Sequence, residues 1–322
     1  MPVNTNGNLW VYCINVGQGD TTVILTPGNR VILIDAFKEK KVIDLLANLG
    51  FDADKDTIEH IITTHPHNDH YGGVERLLNT YHVENLTLSS LWRFTDSTPG
   101  YNSLINTAVA RDVNLDFLSG YTQIFPDASP VADPNALRIE CLGPSNQFIE
   151  VLFQSGDLNT NHRSIISRLQ LGDFRMVIAA DAQLENWALF DSEQMLDSPC
   201  TVLRSAHHGS ANGTQYERLT RLAPRMVIVS SDPNGKDELP DLIGCAALLR
   251  YAGDSSNPLV VLTFDSGTIK VEIAPSGNRS AFCYGEGNTS SDFIPLANPQ
   301  VLDNAHNPSD WRALLTQKLP PP

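Results

Sequence analysis

The stretch His65-Pro66-His67-Asn68-Asp69-His70 constrains this chain more than any other. It sets three imidazoles and a carboxylate within six positions, with Tyr71-Gly72-Gly73 directly behind. The apolar run at 58–62 reads as a short buried strand, so the cluster falls where a strand gives way to a loop. Side chains of an extended segment alternate faces, which puts His65, His67 and Asp69 on one side. His70 turns onto that side as the chain coils toward a helix expected at 74–78. Imidazole nitrogens with one carboxylate oxygen suit borderline metals, zinc above all, whereas magnesium and calcium sites use oxygen alone. A polar loop with chance histidines would not concentrate four ligand-type residues here when the chain holds only nine histidines. The stretch reads as a metal site.

Charge narrows the partners. Against 22 basic residues stand 37 acidic ones, a formal net charge of −15. That excludes a broad nucleic-acid surface, which needs a basic footprint. A nucleotide or phosphodiester at a local metal pair stays open, because the ions bring the positive charge. The expected partner is therefore a small-molecule or nucleotide-like substrate. Arg163, Arg168, Arg204 and Lys236 are candidates for a small local patch, although arginines beside strands are more often salt-bridge partners. The start, Met1 to Asn6, has no basic or apolar leader segment, and no apolar run approaches the ~20 residues that span a bilayer. Five cysteines without CxxC spacing read as buried small hydrophobes in a reducing compartment. A cytoplasmic location without membrane contact is the expectation.

Strand-type runs at 9–16, 21–26 and 30–34 are separated by turn residues, and 38–49 has helical spacing that stops at Gly50. Residues 89–133 lose periodicity and read as an insertion, with a helix near 103–110 and strands near Asp116 and Thr122. Further strands are expected at 136–142, 164–171, 174–179, 200–204, 226–229, 259–264 and 268–273. Helices fall between them at 184–190, 214–222 and 241–251. Residues 276–322, rich in Gly, Ser, Asn and Pro, read as a partly irregular C-terminal extension to a domain spanning 1–275. Strand meanders capped by helices in both halves favour two packed sheets with helices outside, one α/β domain.

Two metals need more ligands than one loop carries. Asp181 ends the apolar stretch 176–180 and reads either as an N-cap for the next helix or as a bridging carboxylate; beside the histidine motif, the bridge is the better reading. Ala206-His207-His208-Gly209-Ser210 follows another strand, suggesting one ligand and one substrate-facing group. His162, just before a strand, reads as a loop histidine or a ligand. His60, His82 and His306 stand apart from any such pattern.

Four stretches carry a resemblance: Asn15-Val16-Gly17-Gln18-Gly19-Asp20, Thr64 to Gly73, Ala180-Asp181 and His207-His208-Gly209-Ser210. Over residues 9–273 the chain resembles metallo-β-lactamase-fold hydrolases, in particular the branch with the C-terminal hydrolase domain of the competence channel ComEC and its stand-alone relatives. The resemblance implies a four-layer αββα sandwich with two metals, zinc or alternatively manganese, at one edge between the sheets. It implies His65 and His67 as ligands of the first metal, Asp69 and His70 as ligands of the second, and Asp181 as the bridge. One of His207 and His208 completes the second site. Asp35 takes the place of a supporting carboxylate, with an N-cap as its other reading. Relatives often have Asn where His162 stands; the wider superfamily has a histidine ligand in that region, so His162 is carried as a ligand of the first metal. The Asp232 to Pro240 loop lacks the histidine and tyrosine those relatives show.

The expected activity is hydrolysis of a phosphodiester or phosphoryl ester by metal-activated hydroxide. Asp69 orients the nucleophile, and the spare histidine of the 207/208 pair stabilises charge or protonates the leaving group; which of the two ligates stays open, with His208 carried as both ligand and catalytic residue. Fold alone does not exclude a lactam, lactone or thioester substrate, nor a non-catalytic metal-binding module. An oxygen-reducing di-iron site is disfavoured, since that branch carries an acid at the position of His67.

Overall fold

The computed structural model describes residues 6–89, 99–118, 120–125, 136–157, 159–192, 199–254, 258–284 and 294–295. Six strands open the chain: β1 (Leu9–Cys13), β2 (Thr21–Leu25), β3 (Val31–Ala36), β4 (Thr57–Thr63), β5 (His82–Ser89) and β6 (Asn114–Leu118). Seven more build the second sheet: β7 (Thr122–Phe125), β8 (Arg138–Gly143), β9 (Ile166–Leu171), β10 (Phe174–Ile178), β11 (Val202–Arg204), β12 (Met226–Val229) and β13 (Leu259–Leu262). The chain then returns to the first sheet with β14 (Thr268–Ile273), β15 (Arg279–Tyr284) and β16 (Ile294–Pro295). The first sheet runs β16-β15-β14-β1-β2-β3-β4-β5-β6 and the second β13-β12-β11-β10-β9-β8-β7.

Alternation along the strands creates the layers. Leu9, Val11 and Cys13 of β1, with Ile24, Ile32 and Ile34, face the second sheet and pack with Met176, Ile178, Val202 and Ile228. Their neighbours Tyr12, Val23, Leu25 and Leu33 face outward under Val42 and Leu46 of α1 (Glu39–Asn48). A short α2 (Asn68–Tyr71) leads into α3 (Val74–Thr80), whose Leu77 and Leu78 join that layer with Leu104 of α4 (Pro99–Ala110). After α5 (Asn146–Ser155), the second sheet's outer face is covered by α6 (Leu184–Ser192), α7 (Tyr216–Leu222) and α8 (Leu242–Asp254), through Trp187, Leu219 and Leu248. Both faces of both sheets are buried, which is the αββα arrangement.

Several expectations shift. The segment 89–133 is part of the sandwich: β6 extends the first sheet and β7 opens the second, while 90–98, 119 and 126–133 lie outside the described residues. The boundary at 275 moves as well, because β15 pairs with β14 from Thr268↔Tyr284 to Ile273↔Arg279. Residues 285–293 and 296–322 of the expected extension, His306 among them, lie outside the described residues. Helix α5 had no counterpart in the sequence reading. Its N-cap is Ser145, whose Oγ accepts from Phe148 N–H at 3.3 Å, and Gly156 ends it at φ 70°. Among the described residues no helix is long and apolar enough to cross a membrane.

The topology also gathers chemistry. β3, β4 and β5 run parallel, as do β10, β11, β12 and β13, so their C-terminal ends collect at one edge. Crevices beyond carboxyl strand ends are where open α/β sheets place ligands.

Candidate metal centre

Asp35 ends β3, His65 follows β4, Asp181 follows β10, and His207-His208 follow β11. Among the described residues these strand ends and their neighbours form three groups whose ligand atoms lie within 4.8 Å of one another: His65, His67 and Asp181, then Asp69, His70 and His208, and last Asp20, Asp35 and His70, which shares His70 with the second. In the first, His65 Nε2 is 3.1 Å from His67 Nδ1 and 3.5 Å from Asp181 Oδ2. In the second, Asp181 Oδ1 lies 3.2 Å from His70 Nε2 and 3.4 Å from His208 Nε2, while Asp69 Oδ2 is 3.5 Å from His208 Nε2. Asp181 touches both groups, one oxygen to each.

The surroundings aim these atoms. His70 Nδ1–H donates to Asp35 Oδ2 at 2.7 Å, which leaves Nε2 as the free lone pair. Asp35 also accepts from Thr64, from its N–H at 2.8 Å and its hydroxyl at 2.7 Å. This web holds Asp35 at φ 57°, a left-handed conformation that non-glycine residues rarely adopt. His208 Nδ1–H donates to the Ser230 carbonyl at 3.0 Å, freeing its Nε2 likewise. Asp69 is held through its backbone, since its carbonyl accepts from Asp20 N–H at 2.9 Å. Gly19 makes that approach possible: it sits at φ 142°, and a Cβ there would lie 2.7 Å from the Asp69 carbonyl oxygen and 2.6 Å from the Phe37 ring.

His162 and the histidine pair take distinct places. His162 is not in either group; its Nδ1 is 2.6 Å from Asp157 Oδ2 and its Nε2 is 3.0 Å from Glu185 Oε2. The cause is the 3-10 turn Thr160–Arg163, which swings successive side chains about a third of a circle apart. Asn161 faces the centre instead, its Nδ2 donating to His207 Nε2 at 3.2 Å, while Thr160 Oγ1 meets His67 Nε2. Within the histidine pair, where the sequence leaves the ligand open, the two side chains take different settings. His208 is the buried one, 2% exposed and inside the second group. His207, 20% exposed, gives Nδ1–H to Asn212 Oδ1 at 2.8 Å and lies 3.9 Å from Asp181. Consecutive left-handed residues, φ 48° and 52°, produce this split.

Asn161 and Asp20 were not singled out as site residues from sequence, and Arg204 only as a candidate for a small basic patch. Asp20 was visible as the last residue of the Gly17-Gln18-Gly19-Asp20 turn, and Asn161 as the neighbour of His162. Two of the patch candidates are salt-bridge partners: Arg204 pairs with Asp20 at 2.8 Å and Arg168 with Glu140 at 2.7 Å.

The donor set fits divalent cations. His70 Nε2, His208 Nε2 and Asp181 Oδ1 are buried with no hydrogen-bond partner, a cost that a cation between them would remove. The carboxylates of Asp20, Asp35, Asp69 and Asp181 converge here, with Arg204 as the standing counter-charge at Asp20. The imidazoles register that deficit. Burial opposes a proton on His208, yet Asp181, Asp69 and Asp20 raise its pKa to about 9. His70 is raised well above the ordinary value against the same burial, by Asp181 and Asp35. Asp69 and Asp181 are held low despite burial, by His208 and His70 respectively among their neighbours. In the first group burial wins: His65 is lowered, and His67 falls to about 4.

Residues 14–120 match the family described as the metallo-beta-lactamase superfamily. No curated protein matches the sequence. Among solved structures, CmlA, described as a diiron beta-hydroxylase from Streptomyces venezuelae, aligns with a TM-score of 0.54 at 13% identity, covering 83% of this chain and 54% of CmlA. A mutant form of CmlA aligns at 0.52 and 13% identity, covering 79% and 52%. YhfI from Bacillus subtilis, described as a metallo-beta-lactamase fold protein, gives 0.44 at 13% identity over 79% and 96%. This chain thus spans about half the length of CmlA. It has the metallo-β-lactamase fold.

Proposed function

We propose that this protein is a dinuclear zinc hydrolase acting on a phosphodiester or phosphoryl ester. One observation carries the reading: two ligand groups meet at Asp181, and there His70 Nε2, His208 Nε2 and Asp181 Oδ1 are buried without a hydrogen-bond partner among the described residues. His65, His67 and Asp181 would hold one ion; Asp69, His70, His208 and Asp181 would hold the other. When bound, such a pair would polarise a substrate oxygen and supply a hydroxide nucleophile near neutral pH.

The chain's own residues supply orientation. Asp69, with its side chain 30% exposed, is the acid at the open side and accepts a hydrogen bond from an entering nucleophile. His207 and Asn161 line the same mouth beside the first group and contact the substrate. His65 and His70 are fully buried, which keeps bulk water off the inner face. The net charge of −15 favours a small nucleotide or phosphodiester over long nucleic acid.

Within the fold we read the chain as a relative of the ComEC hydrolase domain. Supporting this, the first and last of the four stretches, which single out that branch, meet in space: Asp20 Oδ1 lies 3.6 Å from His208 Nδ1. Iron, the metal named for CmlA, is the rival occupant; the imidazole of His67 favours zinc.

Purified protein should carry close to two equivalents of zinc and hydrolyse bis(p-nitrophenyl) phosphate in a chelator-sensitive manner. Cleavage of a chromogenic lactam in place of the phosphodiester would move the assignment to lactam, lactone or thioester hydrolysis. An unchanged rate in metal-free protein would end it.

A further inference from the structure

Arg204 closes β11 yet belongs electrostatically to the opposite sheet. Its side chain is 0% exposed, and its guanidinium leaves the second sheet to reach the start of β2 in the first. Nη1 donates to the Thr21 carbonyl at 3.1 Å and to the Thr22 hydroxyl, and Nη2 donates to Asp20 Oδ1 at 2.8 Å. Asp20 is itself 2% exposed. Such a pair is costly to desolvate, so a role beyond holding the sheets together is worth seeking.

Asp20 is where that role shows. Its N–H donates to the Asp69 carbonyl at 2.9 Å, and its Oδ1 stands 3.6 Å from His208 Nδ1 on the side from which that N–H reaches Ser230. One anchored aspartate thus addresses two of the second group's three residues, Asp69 and His208. The third, His70, has Asp35. The imidazoles of the first group are supported elsewhere, His65 by Thr64 and His67 by Thr160.

We propose that the Asp20–Arg204 pair is a positioning element for the second ion alone: it holds the Asp69 turn and the Nδ1–H of His208 so that both ligands face Asp181, and the first group forms without it. This rests on the two-ion reading above. The guanidinium makes the device specific, because its planar fork binds Asp20 and the Thr21–Thr22 backbone region at once, which an ammonium cannot do.

The test is a zinc titration of the full chain in competition with a chromophoric chelator. Removing one partner alone strands a buried charge, so the variant is the neutral pair Asp20→Asn with Arg204→Met, of a kind that often folds well. The second equivalent should weaken about 10–100-fold, the usual range for loss of a ligand's outer partner, while the first stays within about twofold. Arg204→Lys, which keeps the charge and loses the fork, should weaken the second equivalent to an intermediate degree; it carries the test if the double variant does not fold. Unchanged second-site affinity in either folded variant overturns the proposal. So does an equal loss at both sites, the result expected of a merely structural pair. If the parent protein takes up no zinc, the two-ion reading itself fails, and that is seen before any variant is made.

Discussion

His70 and His208, in the second ligand group, each have an oxygen acceptor behind the coordinating edge: Asp35 at 2.7 Å and the Ser230 carbonyl at 3.0 Å. His65 and His67, in the first, have only the hydroxyls of Thr64 and Thr160. The same side chain in the same fold therefore meets opposite electrostatics. Carboxylates around the second group hold protons on its imidazoles, and burial strips them from the first. A hydroxyl orients a ring without charging it, whereas an acid does both. The second group is thus the half held by a carboxylate and a carbonyl, and the first is the half held by hydroxyls.

The harshest test of that asymmetry is Asp181→Asn, which removes the residue common to both halves. Zinc content should fall toward zero and turnover by more than about 10³-fold, the upper scale for loss of one electrostatic partner. Retention of one full equivalent would make the groups independent. Next comes Asp35→Asn, which should weaken the second equivalent about 10–100-fold and spare the first in the same titration. A matching loss in Thr160→Val at the first group would erase the distinction. Gly19→Ala should cost about 1–3 kcal/mol in denaturant unfolding, since its Cβ would overlap the Phe37 ring and the Asp69 carbonyl.

The mildest test lies outside the centre. His60 resembles the first-group imidazoles, with only the Thr87 hydroxyl beside it at 2.8 Å, and burial lowers its pKa to about 4. An unfolded chain protonates it near pH 6.5, so its contribution to stability is complete above about pH 6.5 and is lost as pH falls toward 4. His60→Gln should accordingly lose less Tm than the parent across that window, by several degrees, at about 2–4 °C for each kcal/mol of linked protonation. Equal losses would reject the assignment of a neutral imidazole.

How much of this was legible depended on range. Residues 65–70 announce themselves because their spacing converts directly into a shared face. The β-rich runs and the Gly50 stop likewise follow local rules, and Gly50 adopts φ 79° just past α1. His162 was misread because a turn of three residues per revolution hides which neighbour points inward. The division of labour between His207 and His208 had no sequence signal, since two left-handed residues in succession are imposed by their surroundings. Strand β15 was obscured by the Gly- and Ser-rich composition that flanks it, although pairing to β14 satisfies its backbone.

Spacing and alternation within a few residues were enough to specify a histidine-rich metal motif at a strand end and two buried-faced sheets. Which acids complete that motif was decided only when strands from both sheets brought Asp181 and Asp20, with Arg204 as counter-charge, to one edge. The reason is physical: side-chain direction within an element follows from local backbone geometry, but the charge surrounding a buried imidazole is set by residues more than a hundred positions away in the chain, such as Asp181 and His208 around His65 and Asp69.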